Sequence, residues 1–280
     1  MASRASPPPI AVGGVGGSGT RVVAALFRDL GYYLGDDLND AYDNLWFTLL
    51  FKRRSILLET EASFRALVEL FFRRMTAPER PAPEDAKLAF LAAEADRLQH
   101  SRDWLIERAR SFSDSSRTLR TPGPWGWKEP NTHLVIDRFF AAHPELLYIH
   151  TVRHPIRMSL SRNQNQLENW GPIFLDRDVE IDPRRSLSFW CAAHRRILTL
   201  QRSAPHRILI VDYDKLCSNP EGEYGAIVKF AGAELEPDAL RRFREYLWRP
   251  DAESWRAEVD LAAFDAKDLV FVRDVGYAPA

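Results

Sequence analysis

Apolar residues along this chain fall into short continuous runs separated by stretches with helical spacing, a pattern that predicts buried strands alternating with amphipathic helices. Ile10, Ala11 and Val12 form the first run. It meets Gly13-Gly14-Val15-Gly16-Gly17-Ser18-Gly19-Thr20, after which Val22, Val23, Leu26, Phe27 and Leu30 mark one face of a helix closed by Gly31. The order is strand, glycine-rich turn, helix and C-terminal glycine. A helical stretch is expected over 40–52, with Tyr42, Trp46, Phe47, Leu49 and Leu50 on its apolar side. Phe64, Leu67, Val68, Phe71 and Phe72 lie at i, i+3, i+4, i+7 and i+8, which predicts a helix over 61–74. Pro78, Pro81 and Pro83 then break the chain, and Leu88, Leu91, Ala95, Leu98 and Leu105 suggest one long helix ending before Ser111.

The second half repeats the alternation. An irregular loop over 121–127 leads to Lys128-Glu129-Pro130, and Leu134, Val135, Phe139 and Phe140 predict a short helix. Residues 146–152 read as a buried strand, which passes through Arg153-His154-Pro155 into a polar helix over 159–169. Within it Asn163, Gln164, Asn165 and Gln166 read as a solvated face, with sugar hydroxyls as the other use for such a run. Leu187, Trp190, Ile197 and Leu198 predict another helix, and 207–211 another strand. Asn219 suits an N-cap, Pro220 the first helical position and Gly232 the stop. Together these elements predict an α/β fold of three layers with a central parallel sheet and helical insertions. The 280 residues are expected to form one domain, with 1–9 a flexible N-terminus and 55–125 a helical insertion.

Charge changes the picture by exclusion. Lys and Arg number 38 against 39 Asp and Glu, so no global field attracts nucleic acid or an anionic membrane, and any anion site is built locally. The two cysteines, Cys191 and Cys217, lack the spacing of a zinc site or a disulfide framework, which fits a reducing, cytoplasmic setting. The N-terminus lacks the apolar core of a secretory signal, and no stretch approaches the ~20 apolar residues of a membrane span. A soluble protein is expected.

The glycine-rich turn is the first candidate for chemistry, because such a turn aims backbone N–H groups at an anion where the helix N-terminus adds partial positive charge. Thr20 stands where an ATP-type phosphate loop requires lysine, and no acidic residue follows a second strand as dinucleotide binding would need.

Several segments carry a more specific resemblance. Gly17-Ser18-Gly19-Thr20 resembles the 5′-phosphosulfate loop of sulfotransferases that use 3′-phosphoadenosine-5′-phosphosulfate (PAPS). Val152-Arg153-His154-Pro155, followed by Ser159 and Ser161, resembles that family's 3′-phosphate site, and Tyr213-Asp214-Lys215-Leu216 is similar to its Tyr-Glu-x-Leu element. The resemblance makes the expected fold P-loop-like and implies a P-loop sulfotransferase moving a sulfuryl group from PAPS to a hydroxyl or amine, without a metal. It implies that Gly16, Gly17, Ser18, Gly19 and Thr20 bind the 5′ end, that Arg153 and Ser161 grip the 3′-phosphate, and that Tyr213 touches the nucleotide.

The chain departs from the family in one place: the basic residue before Ser-Gly-Thr is Gly17. Arg21 and Lys128 are the candidates to supply the missing cation. Lys128 is favoured, since Lys128-Glu129-Pro130 resembles the family's Lys-Asp-Pro or Lys-Thr-Pro element. For the general base, Gly35-Asp36-Asp37 is similar to a Gly-Glu-Glu segment of tyrosylprotein sulfotransferases, which points to Asp36, with Asp37, Asp40 and Asp43 nearby; His133 is the other contender. The 55–125 insertion is expected to roof a small-molecule, saccharide or lipid acceptor. Two rivals stay open: a P-loop kinase or other NTP-dependent enzyme, and a non-catalytic nucleotide-binding module on the same fold.

Overall fold

The structure, a computed structural model, describes residues 7–76, 81–95, 97–114, 123–175, 178–247 and 259–279. Most of the N-terminal arm, Pro78 and the Thr121-Pro122 part of the expected loop lie outside the described residues. Strand β1 (Ile10–Gly14) leads through the glycine-rich turn into α1 (Thr20–Asp29). Helices α2 (Leu45–Phe51), α3 (Glu61–Thr76), α4 (Pro83–Ala93) and α5 (Arg102–Asp114) follow, then β2 (Gly126–Lys128), α6 (Ile136–Ala142) and β3 (Leu147–Val152). After α7 (Pro155–Ser159), α8 (Asn165–Phe174) and α9 (Pro183–Ser203) come β4 (Ile208–Asp212), α10 (Tyr213–Ser218), α11 (Pro220–Ala231), α12 (Pro237–Tyr246) and α13 (Ala266–Asp274). Among the described residues no helix is long and apolar enough to cross a membrane.

The strands form one parallel sheet in the order β2-β1-β3-β4. Side chains alternate across it. Ile10, Val12, Ile149 and Val211 pack with α1, α11 and α12 on one face, while Ala11, Trp127 and Tyr148 join the aromatic core of α2, α3 and α6 on the other. This is the three-layer α/β arrangement the apolar pattern predicts. The register pairs Gly14 with Thr151 and Val12 with Lys128, so the turn after β1, the turn after β3 and the end of β2 meet at the carboxyl edge of the sheet. Sites of open parallel sheets form at that edge.

Four local expectations are corrected. The helix expected over 40–52 begins only at Leu45, because the Asn44 side chain accepts the Phe47 N–H as an N-cap and 39–43 fold into a turn with Tyr42 at φ 63°. The long helix expected after Leu88 is two helices, α4 and α5, although no glycine or proline separates them. Arg97, between them, donates to the carbonyls of Thr48, Leu49, Lys52 and Ala92 and so satisfies the ends of α2 and α4 at once. The expected loop before Lys128 contains strand β2, whose Gly126 lies so close to β1 that an added Cβ would sit 2.1 Å from the Ile10 carbonyl oxygen. The polar helix expected over 159–169 is interrupted after α7, and Ser161 lies in the intervening turn. By contrast, Asn219 accepts the Gly222 N–H, Pro220 opens α11 and Gly232 ends it in the left-handed region, as the residue types predict.

Candidate active site

The glycine-rich turn is held from three sides. Ser18 N–H donates to the Val15 carbonyl at 3.1 Å, and the buried Ser18 hydroxyl meets Thr151 Oγ1 of β3 at 2.7 Å. Thr151 also donates to the Gly13 carbonyl, at 3.3 Å. Gln166 of α8 reaches across and donates from Nε2 to the Gly14 carbonyl at 3.1 Å. Gly19 is the left-handed residue, φ 97°, that turns the chain into α1, and the Tyr213 ring packs against it where a side chain would stand. The hydroxyl of Ser18 thus joins the loop to β3, while Gly17 and Arg21 are exposed, Gly16 is half-buried and Thr20 is buried at the helix start. The first turn of α1 leaves backbone N–H groups without intrahelical partners at this spot.

Beside the loop, β3 ends at Arg153. The Arg153 guanidinium lies over the Tyr213 ring, 5.0 Å from its centroid, while Nε and Nη2 are shielded from solvent and hydrogen-bond to nothing among the described residues. Arg157, one turn on, adds a second guanidinium near Asp214, and burial followed by the charge of Arg153 lowers its pKa. The turn itself is fixed by the His154 N–H donating to Asp214 at 2.9 Å. Buried donor capacity without an acceptor is costly, which makes these two shielded guanidinium nitrogens a candidate contact for an acceptor at the sheet edge. Ser161 is half-buried nearby in sequence, its hydroxyl accepting the Asn163 N–H at 3.1 Å, and Ser159 is buried with its hydroxyl donating to the Ile156 carbonyl.

Lys128 ends β2, paired beside Val12 of β1. Its side chain is 2% exposed, and Nζ donates to the Ala41 carbonyl at 3.1 Å and to the Asp43 carboxylate. Burial lowers its pKa, Asp43 opposes that, and the charge of Arg21 works with burial. Glu129, next in chain, is buried and pushed upward by burial; its carboxylate accepts the Asn131 N–H and Nδ2 at 2.6 and 2.9 Å.

The candidate bases fall in different surroundings. Asp36 is exposed on the loop between α1 and α2. Asp37 accepts from Arg108 at 3.1 Å, and burial raises its carboxyl above the usual range. His133 is buried, with Nε2 3.0 Å from Gln166 Oε1. Because the Gly14 carbonyl can only accept, the Gln166 amide must turn its NH2 toward the loop and its oxygen toward His133, which places the His133 proton on Nε2. Burial holds that imidazole neutral, with its pKa lowered to about 4.

Of the residues expected from the sequence, Gly19 of the loop, Tyr213 and Arg153 meet, while Lys128 lies beside β1 with its ammonium on Ala41 and Asp43. Thr151 and Arg157 carry no signal in the sequence, Asp43 is expected only as a neighbour of Asp36, and Gln166 is expected on a solvated face. Gln166 is buried instead, facing His133 and Gly14 at sequence separations of 33 and 152. No local spacing signals partners that distant. Among the described residues, no group of three or more His, Cys, Asp or Glu side chains is placed to hold a metal ion.

Comparison with known proteins adds a direct reading. A family model described as the sulfotransferase family matches residues 8–237. Among solved structures, the sulfotransferase domain from the Synechococcus PCC 7002 olefin synthase superimposes with a TM-score of 0.55 at 18% identity, over 99% of this chain and 98% of that one. The sulfotransferase domain from the curacin biosynthetic pathway gives a TM-score of 0.54 at 15% identity, over 99% of each chain. At such identities the likeness is one of fold. A search of curated proteins finds no match.

Proposed function

Since the chain belongs to the sulfotransferase family, we propose that it transfers a sulfuryl group from PAPS to a hydroxyl or amine of a small-molecule, saccharide or lipid acceptor. The observation that carries this reading is the Arg153 guanidinium, with two shielded nitrogens lacking partners among the described residues and its face on Tyr213, the ring that also packs on Gly19 of the loop. That continuity suits one nucleotide whose 5′ end lies on the loop and whose 3′-phosphate lies on Arg153. A planar guanidinium takes a phosphate through two N–H groups at once.

The donor, when bound, supplies an activated sulfuryl group attached to its 5′-phosphate. In our reading the backbone of Gly16 to Thr20 holds that end, and Arg153, with Ser161 on the following turn, selects the 3′-phosphorylated nucleotide. We assign Lys128, at the end of β2, to the negative charge that grows on the transferred group and the leaving phosphate, in place of the cation missing at Gly17, with Arg21 as the exposed neighbour. Asp36 takes the proton that the acceptor hydroxyl or amine gives up as its bond to sulfur forms. We assign His133, neutral and engaged with Gln166, to holding the loop, and Asp37 to the Arg108 ion pair. The α3 to α5 insertion, within 55–125, forms the acceptor roof.

Calorimetric titration with 3′-phosphoadenosine-5′-phosphate (PAP), the desulfated product, against ADP, without divalent metal, tests the reading. PAP is expected to bind at micromolar strength or tighter, ADP at least about tenfold more weakly, and Arg153→Ala to abolish the difference. Equal binding of the two nucleotides, or binding only with Mg²⁺, would overturn it in favour of an NTP-dependent enzyme.

A further inference from the structure

The loop between α1 and α2 contains a turn that no chemistry so far described requires. Asn39 organises it. Its Oδ1 accepts the N–H groups of Ala41 and Asp43, both at 2.9 Å, its carbonyl accepts the Tyr42 N–H at 2.9 Å, and its Nδ2 donates to Asp43 Oδ2 at 2.8 Å. Tyr42 adopts φ 63°, the left-handed region that is unfavourable for a non-glycine residue. Arg28 of α1 lies 4.6 Å from the Tyr42 ring centroid and covers it.

The turn is directed at one group. Asp43 Oδ1 and the Ala41 carbonyl both accept from Lys128 Nζ, while the Asn44 N–H donates to the Lys128 carbonyl at 2.7 Å, so the lysine is gripped by main chain and side chain together. Strained backbone that persists where several hydrogen bonds converge on a buried charge marks a functional constraint.

We infer that Asp43, presented by the Asn39 turn, is a positioning residue that anchors the Lys128 ammonium at the carboxyl end of β2. The inference rests on the role proposed for Lys128 in sulfuryl transfer and extends it to the residues that maintain that role. Asp43 is unsuited to be the base itself, because both carboxylate oxygens are engaged, one with an ammonium and one with an amide. The charged groups acting on Lys128 are Asp43 and Glu129, which favour its protonated form, and Arg21, which opposes it along with burial, the largest influence. Without Asp43 the balance moves toward the neutral amine, and a neutral amine stabilises no developing negative charge.

The chain has six lysines, so selective ¹³C-lysine labelling gives a spectrum in which Lys128 is assigned by the Lys128→Arg variant. Titration from about pH 7 to 11 is expected to show the Lys128 midpoint falling by about one pH unit or more in Asp43→Asn, and by less in Asn39→Ala, with the exposed Lys229 unmoved. An unchanged Lys128 midpoint in Asp43→Asn would overturn the inference; should that variant fail to fold, an unchanged midpoint in Asn39→Ala would do so. PAP, which lacks the sulfuryl group, is expected to bind Asp43→Asn within about twofold of wild type, whereas a loss of about tenfold would place Asp43 in nucleotide binding instead. Wild-type protein that fails to bind PAP would defeat the sulfotransfer reading and leave the Lys128 titration standing.

Discussion

Two glycines of the glycine-rich turn make a matched pair for testing how Tyr213 connects the turn to Arg153. Gly17 and Gly19 have φ values of 91° and 97°, so alanine at either position carries the same backbone cost, about 1–2 kcal/mol. Their surroundings differ. A Cβ on Gly17 meets nothing within 4 Å, whereas one on Gly19 stands 2.3, 2.9 and 3.1 Å from Cδ2, Cγ and Cε2 of Tyr213. Cγ is near the backbone and cannot swing away, so Gly19→Ala forces the whole ring to move and adds about 1–3 kcal/mol of overpacking. Gly17→Ala is therefore expected to lower the melting temperature by a few degrees, and Gly19→Ala by roughly twice as much. The ring supports the Arg153 guanidinium at 5.0 Å, so only Gly19→Ala should also erase the preference for PAP over ADP, a ratio that cancels any general loosening of the loop. Scanning calorimetry and nucleotide titration on both variants, with Tyr213→Ala and the Gly19→Ala/Tyr213→Ala double variant, complete a cycle. The double variant should recover about 1–2 kcal/mol relative to additivity. Equal melting temperatures for the two alanine variants, with the nucleotide preference intact in both, would refute the proposed linkage.

Acid sensitivity and the Arg97 junction offer further checks. Burial lowers His133 and His194 to about 4 and drives His150 well below its ordinary value, so from about pH 6.5 down to 4 the unfolded chain binds more protons than the folded one. Stability is therefore complete above about pH 6.5 and falls with acidification, by about 1.4 kcal/mol per pH unit for each histidine titrating only when unfolded. Urea unfolding followed by tryptophan fluorescence between pH 7.5 and 5 should show this slope, and a flat profile would contradict it. Arg97→Lys should destabilise the chain by about 2–4 kcal/mol, because a single ammonium cannot reach four carbonyls that a guanidinium fork satisfies. A loss of unfolding free energy, from guanidinium unfolding, smaller than about 0.5 kcal/mol would show that α2 and α4 end without its help.

Much of this protein was legible along the chain because the signals are local. The β1 turn, the stop at Gly31, the α3 face and the caps of α11 each rest on residues within a few positions of one another, where backbone geometry and side-chain chemistry act directly. The glycine-rich turn was readable for the same reason, whereas Arg153 and Tyr213 stood out only through their resemblance to sulfotransferase motifs. β2 was not, since three residues carry no periodicity and Gly126-Trp127-Lys128 become a strand only by pairing with β1. The break between α4 and α5 was equally hidden: it depends on Arg97 finding carbonyls that the fold brings to it from α2. Which carboxylate serves Lys128, and which side chain holds Gly14, was decided at separations of 85 and 152 residues. Apart from β2 and the break between α4 and α5, the sequence by itself determined the kinds of element, their order and the chemical groups at their ends, because those follow from neighbours. Only the tertiary structure determined which groups meet, because pairing of buried charges and amides depends on the sheet register that brings distant strand ends to a common edge.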